Sequence, residues 1–525
     1  MNLKTMLGQK FVVGFLGTEL TDEFREAVKK YHFANIILFR RNLENPQQIR
    51  KLCQDLYDLI LEETGEIPLI SIDQEGGMVA RLADDQLNIP GAMALSASSD
   101  DDLLSEMNYL NAKVLLDLGI NFNLAPVLDI NTEADNPVIG IRSYSDRAEE
   151  VARLGVKAIE ASQRAGVLAA AKHFPGHGDT KVDSHIGLPS IAHPLDFLEK
   201  RELYPFKVAI DNGVAAIMTT HILFPELEPE KIPATMSRRI LTDLLRNEFG
   251  FKGLIVSDCM EMKAISTHYG TSNGVIKAFE AGVDMVFVSH TLDVQIEAYE
   301  KAYEAYENGD LSIEEMEASV NRILKSKEKL QANVTKQELS TEEYNKFIAD
   351  IDAAVSKTFV ALPDVNKFKA TFNKDTNLQD TVIIGPAPFR STNVSNEEMG
   401  ELSFAKNLGE LLNLDYIESS GQIEADEIAE LVEKAKDYKQ IILGLYNAHI
   451  ITEQLELCAA LKKLDLPILL VALGSPYDLM YLDSDDLALA CFEYTYKSIR
   501  HLANCLLGKE LPLAKLPVKL EKRSL

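Results

Sequence analysis

VLAAAKHFPGHGDTKVDSHIGL, residues 167–188, opens with five apolar residues, turns through a lysine and a histidine, and ends in a loop with three glycines. The opening reads as a buried parallel strand, because strands covered on both faces are continuously apolar rather than alternating. The remainder gathers His173, His177, Asp179, Asp183 and His185 beside Gly176, Gly178 and Gly187. Glycine reaches backbone conformations that other residues avoid, so these groups belong on a shaped loop rather than a helix face. A strand that delivers ionisable groups into such a loop marks an enzyme.

Working outward, seven more short apolar runs alternate with helical segments over the first 330 residues or so, at 11–17, 35–40, 68–73, 121–129, 215–221, 253–258 and 285–290. With 167–173 they make eight. Eight βα units predict a (β/α)8 TIM-type barrel, whose site lies where the strands end. The ends of these runs are ionisable: Arg40, Asp73, Asp129, Lys172 with His173, His221, Asp258 and His290. One rim of the barrel is therefore the predicted site. Asn45-Pro46 reads as the cap and first residue of one helix, and Ser312 with Glu315 as a capping box for another.

Residues 1–335 are read as the catalytic barrel and 336–376 as a connector with some helix. Residues 377–525 are read as a smaller α/β sandwich domain, with strands at 381–385, 440–446, 467–474 and 487–494 and helices at 396–413 and 425–436. A chain of 525 residues exceeds one core of roughly 50–250 residues, and 46% hydrophobic content suffices for two. No internal repeat or low-complexity tract interrupts the pattern.

The formal net charge of −28 opposes binding to nucleic acid or an anionic bilayer. No apolar stretch approaches the roughly 20 residues of a membrane span, and the N-terminus lacks the basic and apolar regions of a secretory signal. Cys53, Cys259, Cys458, Cys491 and Cys505 are odd in number and widely spaced, which predicts free thiols rather than disulfides or a zinc site. A cytoplasmic protein is expected.

Within the loop, Asp183-Ser184-His185 places a carboxylate two residues from an imidazole, an arrangement that can fix a tautomer and leave the other ring nitrogen for proton transfer. The alternative is a histidine that merely satisfies buried backbone. A metal reading of the histidine cluster is weakened by Pro175 and Gly176, which prevent His173 and His177 from sharing a helix face. At 253–260, GLIVSDCM, four residues of strand present Asp258 to the rim, either as a nucleophile or as a cap for the next helix. Asp73 begins DQEGG, where paired glycines admit a ligand close to the backbone. Arg81 and Arg142 supply fixed donors for sugar oxygens or a carboxylate, although either alone fits an ordinary surface ion pair.

Taken together, KHFPGHGDTKVDSH, IDQEGG, VIGIRSY and IVSD strongly resemble glycoside hydrolase family 3 in its β-N-acetylhexosaminidase branch. The likeness spans roughly residues 10–330 and extends more weakly to LVALGSPYDL at 470–479. It implies Asp258 as nucleophile, His185 as general acid/base and Asp183 as the histidine's partner. Asp73, Arg81, Arg142, Lys172 and His173 match sugar-binding positions. Met78 departs from the pattern, since a basic residue commonly follows the glycine pair.

The resemblance implies removal of a terminal non-reducing β-linked N-acetylglucosamine with retention, through a glycosyl-aspartate and without metal or organic cofactor. A histidine acid/base is neutral after protonating the leaving group, so phosphate can compete with water and phosphorolysis is the alternative. Cell-wall (muropeptide) fragments and chitin-derived oligosaccharides both present the terminal sugar. A non-catalytic carbohydrate-binding protein and a metal-dependent hydrolase are the competing classes. The sequence is silent on oligomeric state.

Overall fold

A computed structural model describes residues 1–82, 85–181, 188–333, 338–371, 378–387, 402–483 and 486–523. Eight parallel strands close into a barrel in sequence order: β1 (Phe11–Val13), β2 (Asn35–Leu38), β3 (Leu69–Ile72), β4 (Phe122–Asn123), β5 (Leu168–Phe174), β6 (Ala216–Thr219), β7 (Leu254–Cys259) and β8 (Met285–Val288). Alternation along each strand divides its residues between two layers. Val12, Ile37, Leu69, Phe122, Ala170, Leu254 and Phe287 fill the interior. Phe11, Ile36, Ile70, Ala171, Ile255 and Val286 face the surrounding helices, and burial on both faces is why these strands read as continuous apolar runs.

Both expected N-caps form, although the Glu315 carboxylate pairs with Arg238, at 2.8 Å, rather than returning a bond to Ser312 to complete the predicted capping box. Asn45 Oδ1 accepts from Gln48 N at 3.0 Å ahead of helix Pro46–Thr64, and Ser312 Oγ accepts from Glu315 N at 3.2 Å in helix Ile313–Asn333. The predicted strand 121–129 is shorter than expected. Regular pairing stops at Asn123 and resumes only as a bridge between Val127 and Lys172, because Pro126 has no N–H to continue the ladder.

The second sheet has six strands in the order β11 (Asp415–Ser419), β10 (Thr381–Pro386), β12 (Gln440–Leu445), β13 (Ile468–Ala472), β14 (Leu487–Ala490) and β9 (Val360–Leu362). β9, the antiparallel edge, comes from the segment expected as connector, which also holds helices Thr341–Val355 and Val365–Thr371. Sequence reading missed β9 and β11, whose three and five residues include no long apolar run. Of the two C-terminal helices foreseen, Ala425–Ala435 forms nearly as bounded, and the other, expected over 396–413, begins at Phe404 with Ser403 as its cap and ends at Leu412.

Both faces of this sheet are covered, one by helices that bury Phe404, Leu408, Ile499 and Leu502, the other by helices that bury Leu431, Leu455 and Leu461. Met93, Ala94 and Ala97, from helix Ala92–Ala97 of the barrel part, belong to that second core. The predicted strand 487–494 likewise ends at Ala490, and its last residues reach the barrel instead. Glu493 Oε1 accepts from Gly91 N at 2.5 Å, and Tyr494 N lies 3.4 Å from Met78 Sδ.

Candidate active site

The carboxyl ends of the barrel strands surround a cavity of about 400 Å³. Asp73, Arg81, Arg142, Lys172, His173 and Asp258 all line it, so six residues predicted from separate segments meet in one place. Four arrive by the same route, an apolar strand that ends at the rim: Asp73 just after β3, Lys172 and His173 near the end of β5, and Asp258 next to last in β7; Arg81 and Arg142 come from the longer loops that follow β3 and β4. Asp183 and His185 lie outside the described residues.

The cavity wall made by β3, β4 and β5 is a buried ion network. Lys172 Nζ lies 2.9 Å from Asp73 Oδ1 and 2.6 Å from Glu75 Oε1, and its side chain is 2% exposed. Arg142 meets Glu75 bidentately, Nη2 to Oε1 at 2.7 Å and Nε to Oε2 at 2.9 Å, while its Nη1 donates to Val138 O at 3.0 Å. Arg142 is thus an ion-pair partner, but a buried one, and the planar guanidinium fork suits the geometry. Burial alone would raise the Glu75 carboxyl; Arg142 and Lys172 outweigh it and hold the group well below the usual carboxylate range. Burial likewise opposes the Lys172 charge, and Asp73 and Glu75 overcome it and raise the ammonium.

His173 is fixed by Asp129. The Asp129 carboxylate accepts from His173 N at 3.2 Å and lies 2.6 Å from His173 Nδ1; it also accepts from His177 N at 2.7 Å. A carboxylate on Nδ1–H leaves Nε2 as the ring atom for a ligand. Burial, outweighed by His173 and its hydrogen bonds, leaves the Asp129 carboxyl low. His177 is different: burial first, then the neighbouring His173, push its pKa down to about 4.

Beyond β5 the loop is held by close packing. A Cβ on Gly178 would lie 1.7 Å from Ile130 O, and Gly176 adopts φ +137 against Glu202, so neither position admits a side chain without displacement. Asp179 faces outward to His193 and Arg201, at 2.7 and 2.5 Å. His177 and Asp179 therefore shape the loop. Asp258 Oδ1 accepts from its neighbour Cys259 N at 2.6 Å. His221, also at a strand end, is buried outside the cavity wall; its Nε2 lies 3.0 Å from Cys259 O and its Nδ1 2.9 Å from Thr235 Oγ1, which holds the backbone beside Asp258.

Sequence reasoning assigned no role to Glu75 and gave Asp129 none beyond its place at a strand end. The available signal was a second carboxylate, Glu75, only two residues after Asp73 in the same glycine-rich loop. Among the described residues, no group of three or more His, Cys, Asp or Glu side chains is placed to hold a metal ion. The five cysteines are free thiols. What the cavity offers is a ring of carboxylate and cationic groups for hydroxyls, opposite one more carboxylate.

The sequence profile of the glycosyl hydrolase family 3 N-terminal domain matches residues 3–326. The beta-hexosaminidase A of Pseudoalteromonas piscicida is 36% identical over 363 residues, which are 62% of this chain and 61% of that one. The chain thus spans less than two thirds of that relative's length. Among solved structures, a glycoside hydrolase family 3 beta-N-acetylglucosaminidase from Paenibacillus sp. str. FPU-7 is 36% identical over the whole of both chains, with a TM-score of 0.90. A fungal multi-domain beta-N-acetylglucosaminidase of the same family superposes on 99% of this chain and 61% of its own, at 30% identity and a TM-score of 0.89.

Proposed function

The chain belongs to glycosyl hydrolase family 3, and from that premise we propose that it is a retaining exo-β-N-acetylglucosaminidase acting through a glycosyl-aspartate. The observation that carries this reading is the pairing of Asp258 at the end of β7 with the Asp73, Lys172, His173 and Arg142 wall in one cavity. Likeness to a beta-N-acetylglucosaminidase over both full chains supports the choice of sugar.

In the proposed cycle the wall grips hydroxyls of the terminal sugar and presents its anomeric carbon to Asp258. A carboxylate oxygen of Asp258 bonds to that carbon as the glycosidic bond breaks, and His185, partnered by Asp183, gives its proton to the departing oxygen. Neutral His185 then takes a proton from water, whose oxygen displaces Asp258 and restores the original configuration. Neither step needs a metal or organic cofactor. Phosphate in place of that water gives the sugar 1-phosphate, the second reading, which rests on the neutrality of a deprotonated histidine.

The proposed substrates are muropeptide or chitin-derived oligosaccharides in the cytoplasm. Among the described residues no helix is long and apolar enough to cross a membrane. The test is incubation with aryl β-N-acetylglucosaminide and aryl β-glucoside, with and without phosphate, following products by chromatography and NMR. Release of the β-anomer of N-acetylglucosamine first is expected; no cleavage of the N-acetylated substrate, or α-anomer first, overturns the reading. Sugar 1-phosphate as the main product moves it to phosphorolysis.

A further inference from the structure

Across the active-site cavity from the buried ion network, Arg41 ties the rim together. Its Nη2 donates to Ser289 O at 3.0 Å and its Nη1 lies 3.0 Å from His290 Nδ1, so the segment after β2 reaches the end of β8. Glu261, just after β7, accepts from His290 N at 2.6 Å and from Thr291 N at 3.3 Å. The ends of β7, β8 and β2 thus make one continuous wall, from which Arg40, Glu261, Lys263 and His290 line the cavity.

Charge separates the two walls. On the β3–β5 side Lys172 and Arg142 are closed onto Asp73 and Glu75. On the other side Arg40 sends one nitrogen, Nη1, to Leu43 O at 2.7 Å, and Lys263 opens the short helix after β7 in an exposed position. Among the described residues neither has a carboxylate partner, and Glu261 beside them is committed to backbone N–H groups. In a chain of net charge −28, two cations held at a cavity mouth in this way are set to receive an anion.

The buried network also fixes the direction of a substrate. It closes the space beyond the sugar's hydroxyls, so a substrate continues only from the anomeric carbon. With that carbon at Asp258, near the end of β7, the leaving group runs toward the mouth along the β7–β8–β2 wall. The acceptor of the second step later takes its place.

We propose that Arg40 and Lys263 form an oxyanion site on the leaving side, which binds a carboxylate carried by the leaving group or the phosphate that takes the leaving group's place. This rests on the glycosidase reading and deepens it by naming the charge of the group next to the bond that breaks. A guanidinium offers a planar pair of donors that matches a carboxylate or phosphate edge, and the ammonium adds a point charge. A carboxylate on the leaving group is held and left unchanged. With phosphate, one of its oxygens bonds to the anomeric carbon as the bond from that carbon to Asp258 breaks, and the electron pair returns to the Asp258 carboxylate.

The test uses the full chain with two phenyl β-N-acetylglucosaminides, one bearing a meta-carboxylate and the other a meta-carboxamide, each with and without inorganic phosphate. The ratio of kcat/KM for the acid over the amide should fall about fivefold in Arg40→Gln and, independently, in Lys263→Gln, and should fall with added salt in wild-type protein, as for a partly exposed ion pair. That result identifies a carboxylate of the leaving group. An unmoved ratio with sugar 1-phosphate as product, and a phosphate KM raised about fivefold in the variants, identifies phosphate. A ratio and a phosphate dependence that both variants leave unmoved overturn the site. If wild-type protein cleaves neither glycoside, the glycosidase reading itself fails.

Discussion

Arg142 and Glu75 are joined by two parallel hydrogen bonds, at 2.7 and 2.9 Å, with side chains only 9% and 8% exposed. Lys172 shares the same carboxylate and also pairs with Asp73, so Glu75 and Asp73 together balance two buried cations beside the cavity. Removing one partner of such a network leaves an uncompensated charge and costs about 3–5 kcal/mol. Glu75→Gln should destabilise the protein to that extent in denaturant unfolding and weaken binding of N-acetylglucosamine measured by calorimetry.

Acid should expose the same network. The Glu75 carboxyl is held low in the folded state, so its contribution is complete above the unfolded value of about 4.3 and is lost as pH falls below it toward the folded value. Urea midpoints measured at decreasing pH should fall more steeply below about 4.3 in wild-type protein than in Glu75→Gln. Parallel curves for the two would refute the assignment.

His177 works in a different window. With its pKa lowered to about 4 from 6.5, it is neutral through the physiological range, and its contribution to stability is lost as pH falls from 6.5 toward 4. In NMR its ring signals should titrate near 4, and any limb of the activity profile between pH 5 and 8 should survive in His177→Gln.

Asp129 acts through His173. Replacing it by asparagine removes a charged acceptor from His173 Nδ1 and from two backbone N–H groups, each bond to a charged group being worth about 1.5–3 kcal/mol. Asp129→Asn should raise KM for the aryl N-acetylglucosaminide about tenfold or more, with a smaller change in kcat. A fall confined to kcat would point to a different role.

Asp258→Ala should lose on the order of 10⁴-fold or more in kcat, as removal of a nucleophile does. Azide, entering the space of the missing carboxylate, should restore turnover and give the α-glycosyl azide. Recovery of only the β-azide would move the nucleophile elsewhere.

The barrel part carries apolar surface made for the second sheet. Met93, Ala94 and Ala97 are buried in the C-terminal core, and Lys497 Nζ donates to Asn88 O at 2.9 Å and Gln86 O at 3.2 Å. A chain cut after residue 335 should therefore aggregate, as large exposed apolar patches do. Monodisperse truncated protein in light scattering would show that the two parts are separable.

Residues 167–188 and the seven runs like them were enough to read a barrel, because buried strands and amphipathic helices write their period into local composition. The rim residues were legible for the same reason: an ionisable group at the end of an apolar run has to lie at the carboxyl face. Asp258, Asp73 and Lys172 needed nothing more. Tertiary structure alone decided who meets whom. Glu75 lies 97 positions before Lys172 and 67 before Arg142, and no local pattern shows that one carboxylate serves both. The same holds for β9, too short to be read from its own three residues. Periodicity is a property of neighbours along the chain, whereas the energy of a buried charge depends on neighbours in space.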